Sequence, residues 1–426
     1  MKTEICDVAV IGAGAAGLAA AAVTAAAGKR TLVIDREEHA GGILRQCIHN
    51  GFGLHCFKEE LTGPEYADRA LVQAELAGAE FLCGCTVTDV EKQEDASFRL
   101  ALLSGRDGVR SVLAKAVFLA MGCRERSRGN IVTPGTRPAG VFTAGAAQKL
   151  LNREGILPGK SAVIVGSGDI GLIMARRLRW CGIDVKAVVE IMPYPSGLTR
   201  NVVQCLHDFN IPLYLAHSVV NICGKDRVSG VDVAPLDAER QPDMDRVFHI
   251  DCDTVLFSVG LIPETELAAD AGVKLDPATG GAVVDANYET SVPGIFSAGN
   301  VLHVHDLADY VTRESERAAA GILHRLNGGK RSDSIAVRAG ENLKYAVPAR
   351  TGVCDTVFSF RPLIVGEKCV LTAEAGGKVL WKKHLPFVRP AEMICVELAE
   401  QVLAEAEKEN AELNFHLRRG PESASC

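Results

Sequence analysis

The sequence predicts an α/β protein with two parallel-stranded domains, one inserted in the other, and a smaller β-rich region behind them. Three observations predict it. A strand–glycine turn–helix–strand–acid pattern opens at Asp7, the pattern returns at Ser161, and from Leu343 short alternating runs replace both. The 426 residues suffice for two to three domains at roughly 150 residues each. With 47% hydrophobic and 23% charged residues, the composition is that of a folded globular chain. A net charge of −7 without a sustained basic block argues against a nucleic-acid partner.

In the first pattern, Asp7-Val8-Ala9-Val10-Ile11 reads as a buried strand and Gly12-Ala13-Gly14-Ala15-Ala16-Gly17 as a glycine turn. An Ala-rich helix follows, then Thr31-Leu32-Val33-Ile34 ending at Asp35. This is GxGxxG in the context that binds a dinucleotide. Gly12 makes the tight turn, Gly14 admits a pyrophosphate, and Gly17 lets helix and strand pack closely. The helix N-terminus, at Ala15 and Ala16, offers amides and a positive dipole end to phosphate. Asp35, 23 residues after Gly12, stands where an acid accepts from a ribose, with Arg36 beside it. The uncharged run Ile11–Gly28 nears the length of a membrane span, but Gly12 breaks it and its residues are small, so no transmembrane segment is expected.

The second copy runs from the strand Ser161-Ala162-Val163-Ile164-Val165 through Gly166-Ser167-Gly168-Asp169-Ile170-Gly171 to Val185-Lys186-Ala187-Val188-Val189 and Glu190. Glu190 lies 24 residues after Gly166, and it would repel a 2′-phosphate, which favours NADH over NADPH. Two Rossmann-like domains suit a flavin and a nicotinamide that exchange a hydride.

Three further segments carry a resemblance. Ala116-Val117-Phe118-Leu119-Ala120-Met121-Gly122 and the run from Asp253 to Gly260 and Pro263 are apolar strands ending in glycine turns. The run from Thr290 to Gly299-Asn300 leads into a helix. With the two fingerprints, these resemble the pyridine nucleotide–disulfide oxidoreductase superfamily over about residues 5–330. The resemblance implies FAD and NAD as cofactors. It also implies an FAD domain over 1–122 and 265–330, an inserted NAD domain over 123–264, and a small β-rich C-terminal domain with a terminal helix over 331–426. It places Gly42 and Ile43 near the isoalloxazine, the Val87 backbone near the adenine, Ala120, Gly122 and Gly260 in cofactor-facing turns, and Asn300 where the family has an acid.

Arg124-Glu125-Arg126, Pro134 to Val141 and Thr143 to Gln148 are similar to flavoprotein subunits of multi-component bacterial dehydrogenases of the opine, hydroxyproline and cyanide-forming kind. Gly41 to Gly53 and Asn300 to Asp306 resemble oxidoreductases that accompany glycerol-3-phosphate dehydrogenase-type flavoproteins. This implies a partner flavoprotein dehydrogenase subunit.

The 14 cysteines form no CxxC pair, and the closest spacing is Cys83-Gly84-Cys85, so no iron–sulfur or zinc cluster is expected. No signal peptide is read, which suggests reduced thiols and a cytoplasmic protein. Gly42 and Phe52 occupy both positions where a CxxxxC partner of Cys47 would stand, so dithiol exchange is not expected. Cys47 stays a candidate for single-thiol redox work if Arg45 or His49 lowers its pKa. His303 and His305 are read as flavin, substrate or capping contacts, with no third ligand to make a metal site. Asp306 and Asp309 are read as serving the next helix's first turn, Trp180 as packing, and the tail from Arg418 as frayed.

The leading expectation is an FAD enzyme passing hydride between NAD(H) and flavin, with electrons moving to or from a partner flavoprotein or small acceptor. The alternatives are a stand-alone NADH oxidase or peroxidase using Cys47, and a non-catalytic nucleotide-binding subunit.

Overall fold

Val8, Ala9 and Val10 are fully buried because their strand, Thr3–Ile11, lies inside a sheet covered on both faces. The computed structural model describes residues 3–331 and 333–420. It divides into two units. The first runs through Arg45, takes up Asn50–Cys123 and resumes at Pro263, while the second holds Gln46–His49 and Arg124–Ile262.

In the first unit the central strand pairs in parallel with Thr31–Asp35 on one side and Gly108–Leu119 on the other. Glu80–Cys83 extends the sheet beyond Thr31–Asp35, and Ile295–Ser297 pairs in parallel with the far end of Gly108–Leu119. That strand was expected to begin at Ala116. It begins eight residues earlier because its first half pairs antiparallel with Phe98–Ser104, which in turn carries Cys85–Lys92. The helix Ala15–Ala26 packs its small residues on the sheet, and Gly63–Leu76 starts from a Thr62/Glu65 capping box with Pro64 in its first turn.

The second unit centres on five parallel strands in the order Val141–Thr143, Thr254–Phe257, Ser161–Val165, Asp184–Glu190, Leu213–Leu215. A three-stranded antiparallel meander, His217–Gly224, Val228–Pro235 and Phe248–Asp251, completes it. The helix Asp169–Trp180 follows the second glycine turn.

Residues after Ile335 build a core of their own from short β-runs. Phe358, Phe360 and Phe415 are fully buried there, with the last two ring centroids 4.6 Å apart. The helix expected over Ala399 to Glu412 spans Glu400–Lys408. The tail does not fray at Arg418: Leu413–Arg419 is a strand paired with Gly366–Ala375, because alternate residues Leu413, Phe415 and Leu417 fill this core. The remainder of the tail expected to fray, residues 421–426, lies outside the described residues. No helix among the described residues is long and apolar enough to cross a membrane.

Candidate functional site

The parallel strands of the first unit end on one edge, and the candidate residues follow directly. Gly12 succeeds Ile11, Asp35 ends its strand, Ala120 succeeds Leu119 and Gly299 follows Ser297 by two. Gly12 has φ +106°, and a Cβ there would stand 2.4 Å from the Ala120 carbonyl oxygen. A Cβ on Gly17 would stand 1.8 Å from the Gly12 carbonyl oxygen. At Gly14, by contrast, no described atom beyond its chain neighbours comes within 4 Å of that position. The chain itself therefore requires Gly12 and Gly17, whereas Gly14 borders open space that a side chain would fill.

The helix above this space has Gly14 as its N-cap and no capping side chain, and its first internal bond runs from Leu18 N to Gly14 O at 3.0 Å. The amides of Ala15 and Ala16 thus lie in the turn that a helix leaves unpaired, where an anion is stabilised. Asp35 Oδ2 accepts from Ala13 N at 2.6 Å and Oδ1 from Glu37 N at 2.8 Å, which ties the acid to the glycine turn. A Cβ on Gly42 would lie 3.1 Å from Gly14 Cα, and one on Gly299 would lie 2.9 Å from Ala16 Cβ. Ile43 next to Gly42 is 60% exposed, and Arg36 is also exposed. Gly122, with φ +71°, accepts from Glu264 N through its carbonyl. Val87 lies on the antiparallel extension, opposite Leu102 and beside a bulge. An open cradle, an uncapped helix end and a fixed acid suit the diphosphate and ribose of FAD.

The second fingerprint is more filled. A Cβ on Gly166 would meet the Ser258 carbonyl oxygen at 2.2 Å, and one on Gly168 would meet Ser258 Oγ at 3.1 Å. That hydroxyl already accepts from Gly171 N at 3.1 Å. Asp169 Oδ1 accepts from Leu198 N and Asn201 Nδ2, and Ile170 beside it is partly buried. Glu190 is 3% exposed, with Oε2 accepting from Ser167 N and Ser196 Oγ and Oε1 from Met192 N, each at 2.9 Å. Gly260, with φ +101°, accepts from Arg126 N at 2.9 Å. Glu125 takes the Gly145 amide with both oxygens, 2.8 and 2.9 Å, and so places a carboxylate on the N-terminus of the helix Ala144–Arg153.

Cys47 lies in the Gln46–His49 segment of this second unit, held by Gln46 Nε2 donating to Gly145 O and Asn152 Nδ2 donating to Gln46 O, both at 2.9 Å. Its sulfur is 3.7 Å from Gln148 Oε1, and burial pushes the thiol up to about 12. A redox nucleophile needs the opposite shift. Arg45 does not supply it, being engaged by the Ala40 carbonyl and by Asp68 at 3.4 Å. Cys47 is therefore expected to resist iodoacetamide near neutral pH in the native protein and to react on unfolding. Fast native labelling, read by peptide mass spectrometry, contradicts this.

His303 and His305 turn inward, toward a residue the sequence did not reveal. Glu314, on the helix Ala308–Leu326, receives His303 Nε2 at 2.7 Å and His305 Nε2 at 3.4 Å on Oε2, while Oε1 accepts from Gly299 N at 2.8 Å. Burial pushes the Glu314 carboxyl up, but the two imidazoles outweigh it and hold it well below the usual range. Burial also pushes His303 down. Asn300 Oδ1 accepts from His305 N at 3.0 Å.

Of the two aspartates, Asp309 lies in the first turn of the helix Ala308–Leu326, as expected, and also serves a loop, whereas Asp306 precedes the helix and serves other partners. Asp306 pairs with Arg361 Nη1 and accepts from Met393 N, both at 2.6 Å, and Asp309 accepts from the amides of Gly53, His55 and Cys56. These loops lack ladder partners for their amides, and the carboxylates provide them. Trp180 packs on one side only: its ring meets Phe209 edge-on at 5.9 Å and Arg176 lies 4.9 Å over it, while the residue is 61% exposed.

A family model described as pyridine nucleotide-disulphide oxidoreductase matches residues 6–321. A component of the hydrogen cyanide synthase of Pseudomonas protegens is 27% identical over 68% of this chain and 65% of its own length. A component of the opine oxidase of Agrobacterium tumefaciens is 27% identical over 70% of the chain and 61% of its own length, so the chain matches under two thirds of both relatives. The thioredoxin reductase of T. acidophilum superposes with a TM-score of 0.64 at 26% identity, covering 76% of this chain and all of that one.

Proposed function

Because the chain belongs to the pyridine nucleotide-disulphide oxidoreductase family, whose members contain FAD and use NAD(P)H, we propose that it moves a hydride between NADH and bound FAD. We extend this to electron exchange with a partner flavoprotein dehydrogenase subunit. The observation that carries the reading is the open cradle at Gly14 beneath an uncapped helix end, with Asp35 fixed beside it. Relatives named as subunits of hydrogen cyanide synthase and opine oxidase support the partner.

In this reading FAD is held by residues 1–122 and 265–330, NADH by 123–264, and 331–426 form a separate module. FAD, when bound, supplies reversible hydride-accepting chemistry that no side chain provides. The Ala15 and Ala16 amides neutralise its diphosphate, Asp35 accepts from its ribose, and Gly42 and Ile43 wall the ring from water. Gly166 to Gly171 receive the substrate's diphosphate, and Glu190 accepts from its ribose and repels a 2′-phosphate. Disulfide reduction of the thioredoxin reductase kind is not proposed, since no CxxC occurs in the sequence.

Anaerobic NADH is expected to bleach the bound flavin absorbance, with NADPH at least about tenfold less effective, a difference of about 1.4 kcal/mol. Cys47→Ser is expected to leave the rate of flavin reduction unchanged. A flavin that NADH does not bleach overturns the reading in favour of a non-catalytic nucleotide-binding subunit, and equal use of NADPH removes the role of Glu190.

A further inference from the structure

We propose that His303, His305 and Glu314 form a site for one divalent transition-metal ion of the zinc type, with two imidazole nitrogens and one carboxylate oxygen as ligands. The inference stands apart from the proposed redox function. Ligand atoms of the three residues lie within 4.8 Å of one another, and their side chains are 0%, 1% and 1% exposed.

The hydrogen-bond pattern around the cluster carries the argument. His305 Nδ1 lies 2.9 Å from the His303 carbonyl oxygen, which can only accept, so the hydrogen is on Nδ1. His305 Nε2 stands 3.4 Å from Glu314 Oε2 in a buried space, longer than an ordinary N–H···O bond. A cation at that point satisfies both. His303 has the means to join it. Nδ1 is 3.2 Å from the Tyr345 hydroxyl, so its hydrogen can move from Nε2, where it faces Glu314, to Nδ1, where it faces Tyr345. The ring changes tautomer without changing charge, and Nε2 becomes a ligand.

Each ligand also has its outer atom held: His305 by a carbonyl, His303 by a hydroxyl, and Glu314 by the Gly299 amide at 2.8 Å. Such outer bonds fix imidazole tautomers and orient carboxylates in metal sites. Two nitrogens and one oxygen suit Zn²⁺ better than Ca²⁺ or Mg²⁺, which favour oxygen alone. A second cluster, Cys223, Asp232 and His249, is partly exposed, with its Asp232 Oδ2 already accepting from Asn221 at 2.8 Å. It serves as a control.

The test uses the full chain as purified, stripped with a chelator, titrated with Zn²⁺, desalted and assayed for metal by mass spectrometry. Thiols also take up zinc, so the result is the difference between variants. Glu314→Gln is expected to lose one equivalent. Tyr345→Phe, which removes only an outer bond, is expected to weaken that equivalent about 10–100-fold. Cys223→Ser is expected to leave it intact. If wild type, Tyr345→Phe and Glu314→Gln bind alike, the proposal is overturned and His305 instead holds a proton on Nε2 against Glu314. Tyr345→Phe decides alone if Glu314→Gln does not fold. Flavin content plays no part in this readout, so its outcome is separable from failure of the redox reading.

Discussion

Gly17→Ala is expected to destabilise the first unit by about 3 kcal/mol or more, at the upper end of what overpacking a tight contact costs. The added Cβ would stand 1.8 Å from the Gly12 carbonyl oxygen, and that oxygen has nowhere to go. Gly12 N donates to Ile34 O at 2.8 Å, and a Cβ on Gly12 would already press the Ala120 carbonyl. The helix cannot lift away cheaply either, because Ala20, Ala21 and Thr24, on the same face as Gly17, are buried and would leave voids. A domain has only about 5–15 kcal/mol in total, so the urea midpoint should fall sharply. Gly14→Ala is the partner experiment: its Cβ enters open space, so the midpoint should hold while FAD retention on gel filtration drops. An unchanged midpoint for Gly17→Ala, or full FAD retention by Gly14→Ala, would contradict the division of labour between these glycines.

Those glycines were legible because what they do is local. A strand end, a positive φ and a helix start fall within a few residues, and spacing alone distinguishes Gly12, Gly14 and Gly17. The strand Ser161–Val165 was legible for the same reason, being an apolar run bounded by turn residues. Glu314 was not. It lies 11 residues past His303 on a helix whose mixed surface gives no hint that one carboxylate is buried, and the contact exists only once the loop after Asn300 folds back. Cys47 illustrates the same limit. Its neighbours Arg45 and His49 suggested activation, but its pKa follows from burial in the segment Gln46–His49, which spacing does not report. Arg361 is 55 residues from the Asp306 it pairs with, beyond any local pattern.

That last pair underlies the second large expectation, that Asp306→Ala costs about 3–5 kcal/mol, the usual effect of removing one member of a buried ion pair. Asp306 and Arg361 have side chains only 12% and 14% exposed, 2.6 Å apart. Burial pushes the Arg361 guanidinium down, and Asp306 and Tyr345 more than offset it. Without Asp306, the cation keeps carbonyl partners such as Val304 O at 2.8 Å and Ala391 O at 3.0 Å but no countercharge, and the Met393 amide loses its acceptor. The loop bearing His303 and His305 then keeps the Val304 carbonyl bond to Arg361 on the strand Thr356–Pro362 but loses the ion pair that fixes it there. Because Asn300 Oδ1 is tied to His305 N, FAD retention should fall along with the urea midpoint. Replacing both partners tests the cause. Asp306→Ala combined with Arg361→Met removes the stranded charge, so the double variant should be more stable than Asp306→Ala alone. If the double variant is no better, or Asp306→Ala costs under about 1 kcal/mol, the pair behaves as an exposed one and the loop is held by its backbone instead.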